Sequence, residues 1–118
     1  MPSLLAKSVL QTLKEIFPHT RINEEYYVNY SGQKLFFDFQ ISTLNILVEV
    51  QGIQHTEFNK HFHGTAESFK ESKKRDRLKS EWCHLNDMTL VCVNHDEIPI
   101  TSENLLKKIE DAQNGRTN

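Results

Sequence analysis

The stretch QKLFFDFQISTLNILVEVQGIQH, residues 33–55, decides the fold of this chain. Large apolar residues alternate with other residues on both sides of Thr43-Leu44, in LFFDFQI before it and in ILVEVQ after it. This period of two in β-branched and aromatic residues is typical of strands. The stretch therefore predicts two antiparallel strands that are joined by a tight turn.

The register of this hairpin brings two carboxylates together. A turn at Thr43-Leu44 pairs Ser42 with Asn45, and the same register sets Asp38 opposite Glu49. Directly opposed side chains share a face of the sheet, with Cβ atoms about 5 Å apart. At this distance two carboxylates repel each other and lose solvation, unless a cation lies between them. The pair is therefore a candidate site for Mg²⁺, which is commonly held by one or two carboxylates.

The alternative is a half-exposed hairpin that carries both acids on its wet face. The flanking residues are very apolar, which predicts a sheet that is buried on both faces. Carboxylates without a partner are costly in such a place, so the composition favours the metal site.

Length and composition indicate one compact domain over residues 1–118, with a core at about 3–113 and a frayed end at 114–118. No run of residues approaches the roughly 20 apolar residues that cross a bilayer. The first residues are too amphipathic for a signal peptide. Two cysteines, Cys83 and Cys92, do not form a disulfide scaffold of the secreted type, which indicates a reducing cytoplasm.

A local excess of positive charge is hidden by the net charge of −2. The segment KESKKRDRLK, residues 70–79, carries six basic and two acidic residues. Such a cluster is the electrostatic footprint of nucleic-acid binding, although most runs of this kind are solvated helix faces. The residues expected to contact phosphates are Lys70, Lys73, Lys74, Arg75 and Arg77.

The remaining elements follow from hydrophobic periodicity and turn signals. They are a helix at 3–17, a strand at 24–30, a loop at 52–65, a helix at 65–86, a strand at 88–93, and a helix that opens at Ser102. The expected class is α/β, in the order αβββαβα, with a mixed sheet flanked by helices. His61 and His63 raise zinc as an alternative, but only Cys83-His84 could complete four ligands, and neighbours on a helix point apart.

This order of elements, together with DFQ, VEVQGIQH and KRDRLKSEWC, resembles the PD-(D/E)XK nuclease superfamily. The closest likeness is to its very-short-patch-repair-like branch, which includes small phage and homing endonucleases, and it spans roughly residues 10–95. The superfamily pattern is an acid on one strand and acid-x-Lys on the next. Asp38 and then Glu49-Val50-Gln51 stand in these places, and Gln51 departs from the usual lysine.

The branch adds an acid on the first helix, a histidine after the second strand and an acid on the following helix. Glu15, His55 and Asp76 stand in these three places, and Lys79 is similar to a basic residue of that helix. The fold that the resemblance implies is a restriction-endonuclease-like core.

The activity that the resemblance implies is metal-dependent hydrolysis of DNA phosphodiester bonds, by nicking or by double-strand cleavage. Mg²⁺, or Mn²⁺ in its place, would be held by Asp38, Glu49, the Val50 carbonyl and Glu15. His55 would be the general base or would position the water.

The resemblance also implies supporting roles and partners. Asp76 would orient the histidine or hold a second metal, Gln51 would hold a water or a phosphate oxygen, and Lys79 would stabilise charge in the transition state. The expected partner is DNA, with a homodimer or a separate recognition protein as further partners. The compartment is the cytoplasm, or the host cytoplasm if the chain is phage-encoded.

Two other functions remain open from the sequence. A non-catalytic nucleic-acid-binding module on the same fold is suggested by Gln51 in the lysine position. A structural or protein-interaction domain would carry Asp38 and Glu49 as surface acids.

Overall fold

The computed structural model describes residues 3–52 and 66–117, with side chains up to residue 115. Its elements follow the predicted order αβββαβα, and the α/β class with a mixed sheet flanked by helices is confirmed. They are α1 (Leu4–Ile16), β1 (Ile22–Tyr30), β2 (Gln33–Ile41), β3 (Ile46–Gln51), α2 (Ala66–Leu85), β4 (Thr89–Asn94) and α3 (Ser102–Thr117).

The four strands form one sheet in the order β1-β2-β3-β4. The first three strands are antiparallel, and β4 lies parallel to β3. Parallel neighbours require a crossover connection, and α2 lies in that connection. The strand β4 is therefore the crossover strand that the sequence predicted, and it forms the parallel edge of the sheet.

The register of the central hairpin is confirmed. Phe39 pairs with Val48 and Ile41 with Ile46, which is the predicted register, although the strands stop pairing at Phe39 and Val48, one step before Asp38 and Glu49. The turn is wider than predicted, because it takes in residues 42–45. Ser42 does not pair with Asn45: its amide donates to the Arg21 carbonyl at 2.9 Å.

The sheet is buried on both faces in its central part, but β1 has no buried residue and Phe36 of β2 is 54% exposed. The prediction of a sheet buried on both faces is therefore confirmed for part of the sheet only. One face packs on α1 and α3, and the other packs on α2. The first cluster includes Val9, Leu13, Phe39, Ile41, Ile46, Val48, Val91, Val93, Leu105 and Ile109. The second includes Leu35, Phe37, Leu47, Leu78, Cys83 and Met88.

The alternation of β2 breaks at Asp38. Phe37 belongs to the α2 cluster, whereas Phe39, two residues on, belongs to the opposite cluster. Strict alternation would place both rings on one face. Opposite the break, Glu25 of β1 has a φ of 54°, in the left-handed region. This conformation costs a residue other than glycine about 1–2 kcal/mol.

The boundaries of the helices agree with the expected ones at most ends. Ser3 caps α1, because its hydroxyl accepts a hydrogen bond from the Ala6 amide at 3.1 Å. The last helix, however, continues to Thr117, through residues that were expected to fray. None of the helices among the described residues is both long and apolar enough to cross a membrane.

We expect the Glu25→Gly substitution to raise the free energy of unfolding by about 1 kcal/mol, because glycine adopts a positive φ without the Cβ penalty. Glu24→Gly is the matched control, since Glu24 pairs regularly with Phe39, and glycine within a strand costs roughly 0.5–1 kcal/mol. Urea unfolding of both variants measures the difference. An equal loss of stability in the two would contradict strain at residue 25.

Candidate active site

The two opposed carboxylates lie where β2 and β3 part. The paired residues of these strands end at Phe39 and Val48. Beyond them, the Asp38 amide donates to Glu49 Oε1 at 3.1 Å, and the Val50 amide donates to Asp38 Oδ2 at 2.7 Å. Each carboxylate therefore reaches across to the backbone of the other strand. We call this arrangement the carboxylate fork.

A lysine from α2 completes the fork on one side. Lys79 Nζ lies 3.0 Å from Glu49 Oε2, and the two side chains are only 14% and 9% exposed. The same ammonium lies 5.4 Å from the centroid of the buried Phe37 ring, which adds a cation–π contact. Lys79 was predicted as a site residue, and the structure brings it to the carboxylate pair.

The environment disfavours charge on Glu49. The pKa of the Glu49 carboxyl is raised to about 7: burial is the largest cause, Lys79 acts in the opposite direction, and the nearby Asp38 carboxylate contributes to the rise. One lysine therefore does not fully offset the burial of Glu49 beside the Asp38 carboxylate. A divalent cation with hard oxygen ligands fits this donor set, because it would supply the charge that the fork lacks.

Asp38 also lines a cavity of about 210 Å³, beside the first turn of α1. The other lining residues are Ser3, Ala6, Glu24, Glu25, Phe39 and Val50. A cavity of this size holds several waters. Val50, which was expected to offer its carbonyl, lines the same cavity, and its amide donates to Asp38 Oδ2.

Glu24 and Glu25 were not predicted as residues of this region. The signal that could have found them is the β1–β2 register, in which Glu24 pairs with Phe39 and Tyr26 with Phe37. This register places Glu25 across from Asp38. The turn at Ser31-Gly32 sets this register, because it pairs Tyr30 with Gln33.

Three further polar residues gather at the parallel edge of the site. Gln51 Nε2 donates to Cys92 Sγ at 3.7 Å, and Cys92 is the β4 partner of Glu49. Burial raises the pKa of the Cys92 thiol to about 11, and the negative charges of Glu49 and Asp76 contribute to the rise. Asp76 therefore lies close enough to raise the pKa of Cys92. With a pKa of about 11, this thiol is neutral at neutral pH. Cys92 was not predicted as a neighbour of the site.

Glu15 does not join the other acids. Its carboxylate accepts a hydrogen bond from the Ser102 hydroxyl at 2.7 Å, at the start of α3. The first turn of α1, with Ser3 and Ala6, lies beside Asp38. Glu15 is about 14 Å further along the axis of this helix. The structure therefore does not place Glu15 as a metal ligand, because α1 presents its opposite end to the fork.

His55, the expected general base, lies outside the described residues, as do His61 and His63. Within residues 3–52 and 66–117, no three His, Cys, Asp or Glu side chains are grouped so as to hold a metal ion. In this part of the chain, the fork offers a metal ion two carboxylates, those of Asp38 and Glu49. Further ligands of a bound cation would come from the backbone, from water or from a substrate.

The basic residues predicted to contact DNA lie on the outer surface of α2. Lys70, Lys73, Lys74, Arg75 and Arg77 are all exposed. Lys73 Nζ lies 5.4 Å from the centroid of the Phe69 ring, and Arg75 donates to the Ser72 hydroxyl. The helix that delivers Lys79 to the fork thus also carries an exposed positive surface.

Two viral proteins are similar to this chain. Uncharacterized protein 307L of Invertebrate iridescent virus 6 is 35% identical over 85 residues, which cover 67% of this chain and 43% of that protein. Uncharacterized protein 033L of Invertebrate iridescent virus 3 is 35% identical over 71 residues, which cover 60% of this chain and 34% of that protein. The chain spans less than half the length of these relatives. No family model and no solved structure matches the chain.

The raised pKa of Glu49 predicts a pH dependence of stability. In the unfolded chain this carboxyl has a pKa of 4.5, so the folded state binds the proton more tightly. Its contribution to stability is complete below about pH 4.5 and is lost as the pH rises through about 7, a loss of about 3 kcal/mol. We expect Glu49→Gln to remove this decline, as measured by urea unfolding from acid to neutral pH.

Glu15→Gln is the control for that series, because Glu15 lies on the surface and away from the fork. It should retain the decline of the wild-type protein. A Glu49→Gln variant with the same decline as wild type would show that another group causes it.

Proposed function

We propose that this chain is a metal-dependent endonuclease that hydrolyses phosphodiester bonds in DNA. The observation that carries the proposal is the carboxylate fork, in which Asp38 and Glu49 are held together by bonds to each other's strands. Burying the Glu49 carboxyl next to the partly exposed Asp38 carboxylate is unfavourable in a domain that only needs to be stable. The arrangement is accounted for if the fork serves to bind a cation.

The residues that would hold the metal are Asp38, Glu49 and the carbonyl of Val50. When bound, Mg²⁺, or Mn²⁺ in its place, supplies Lewis-acid chemistry: it lowers the pKa of a coordinated water and stabilises charge on the phosphate. Asp38 and Glu49 need no rearrangement of the backbone for this role, because hydrogen bonds already fix both carboxylates in the fork. Glu15 is not part of this proposal.

Lys79 and Gln51 would together replace the lysine of the superfamily pattern, Lys79 through its charge and Gln51 through its hydrogen bonds. Lys79 brings positive charge to within 3.0 Å of Glu49, where it would stabilise a phosphate bound at the same point. Gln51, at the end of β3, would hold the attacking water or a phosphate oxygen by hydrogen bonds. Asp76 and His55 keep the roles that the resemblance implies, with His55 as the proposed general base.

The exposed surface of α2 would bind the DNA backbone. Lys70, Lys73, Lys74, Arg75 and Arg77 offer positive charge without a constellation for reading bases, so they would position the duplex rather than select a sequence. Sequence or structure selection would then come from a second copy of the chain or from another protein.

A second function is favoured by one specific contact. The Gln51 amide is turned towards Cys92, and it carries no charge in the place where the superfamily has lysine. A domain that has lost cleavage but kept the basic surface of α2 would bind nucleic acid without a metal. The two functions differ in their metal requirement, so a single set of variants separates them.

The first test is cleavage of supercoiled plasmid in Mg²⁺ or Mn²⁺. We expect Asp38→Asn and Glu49→Gln each to lower the rate on the order of a hundredfold or more, since metal stabilisation of the transition state amounts to several kcal/mol. Glu15→Gln is the matched control and should cleave at the wild-type rate, because its carboxylate bonds to Ser102. Equal rates in the wild type and both fork variants would end the nuclease proposal.

The second test is the salt dependence of DNA binding in EDTA. We expect Lys73→Gln with Lys74→Gln to lower the slope of log K against log salt by about 0.9 for each lost phosphate contact. Lys14→Gln with Lys107→Gln is the control, since both lysines are exposed on other helices. Binding in EDTA together with no cleavage in any divalent metal would favour the non-catalytic module. Identical slopes for both pairs would remove α2 as the DNA surface.

A further inference from the structure

Both oxygens of Glu49 are engaged in this structure. Oε1 accepts from the Asp38 amide at 3.1 Å, and Oε2 accepts from Lys79 Nζ at 3.0 Å. The first bond holds β2 to β3, so it belongs to the frame of the sheet. The second joins Glu49 to a flexible side chain of α2. An incoming cation that binds Glu49 would therefore compete with Lys79 for Oε2.

The ammonium of Lys79 has a second anchor that does not depend on Glu49. It lies 5.4 Å from the centroid of the Phe37 ring, and that ring is fully buried and packs against Trp82 at 5.9 Å between centroids. A cation over an aromatic face is attracted at any point above the ring. Lys79 can thus leave Glu49 and stay at the site, because its long flexible stem allows the ammonium to turn about the ring.

We infer that Lys79 is an exchangeable counter-ion and a positioning residue, which pairs with Glu49 Oε2 and turns to the substrate phosphate when a divalent cation takes that oxygen. The inference rests on the proposed function, which it deepens by giving Lys79 two successive partners. A metal ion beside Glu49 repels the ammonium. A phosphate bound to the metal attracts it, and the Phe37 contact keeps it within reach.

The exchange couples metal binding to DNA binding. Without DNA, Lys79 lowers metal affinity, because the metal must displace it. With DNA, the displaced ammonium gains a phosphate partner, so metal and DNA each raise the affinity for the other by the same factor. Such a site would stay weakly loaded until DNA is present.

The experiment is calorimetric titration of the full chain with Mn²⁺ at about pH 9, where Glu49 is ionised. We expect Lys79→Met to bind Mn²⁺ on the order of tenfold more tightly than wild type. Lys79→Arg keeps the charge and should behave as wild type, and Lys107→Met on α3 controls for the loss of one positive charge. A purely structural lysine would not produce tighter binding when it is removed.

A second arm uses Ca²⁺ and a short DNA duplex. Ca²⁺ should strengthen DNA binding by the wild type on the order of fivefold more than it does for Lys79→Met. A spectroscopic measurement on the wild type needs no variant: the ε-methylene signal of Lys79 in ¹H–¹³C spectra should shift when Mg²⁺ is added.

The outcomes separate this inference from the proposed function. Mn²⁺ binding of equal strength in wild type and Lys79→Met, or an unmoved Lys79 signal in Mg²⁺-loaded protein, overturns the exchange and leaves the nuclease proposal standing. Absence of Mn²⁺ binding in both proteins, together with absence of plasmid cleavage, overturns both. Tighter Mn²⁺ binding in Lys79→Met supports the exchange, and plasmid cleavage that is lost in Asp38→Asn and Glu49→Gln supports the nuclease proposal.

Discussion

The structure depends on one electrostatic constraint, which is the burial of the Glu49 carboxyl beside the partly exposed Asp38 carboxylate where β2 and β3 part. Asp38 and Glu49 are kept there by backbone amides, and burial raises the pKa of Glu49 to about 7 despite the lysine beside it. Other features follow from this point. The alternation of β2 breaks at Asp38, β1 takes a left-handed residue opposite it, and α2 sends Lys79 to the pair.

Much of the fold could be predicted because its signals are local. The central hairpin carries a clear period of two, and its register follows from where the turn falls, so the opposition of Asp38 and Glu49 could be predicted without any tertiary information. Lys79 was expected at the site from the resemblance, and the structure places it 3.0 Å from Glu49. The turn itself was less predictable, since the Ser42 amide is taken by a neighbouring segment rather than by Asn45.

The rest depends on tertiary packing, which no local pattern encodes. Glu15 sits on the correct helix by order of elements, but the direction in which α1 crosses the sheet brings the first turn to Asp38 and sends Glu15 to Ser102. Cys92 becomes a neighbour of Glu49 only through the parallel pairing of β3 and β4. The face of the sheet on which each β2 side chain lies could not be predicted either. The sequence has a regular period of two, whereas Phe37 and Phe39 lie on opposite faces, before and after Asp38.

The long separation between Glu49 and Lys79 affects the chain while it is being made. The hairpin closes through contacts between near neighbours, whereas the lysine comes thirty positions later, on a helix that follows the hairpin. Because synthesis proceeds from the N-terminus, the nascent hairpin leaves the ribosome before its counter-charge does. During that interval the two acids repel each other without compensation.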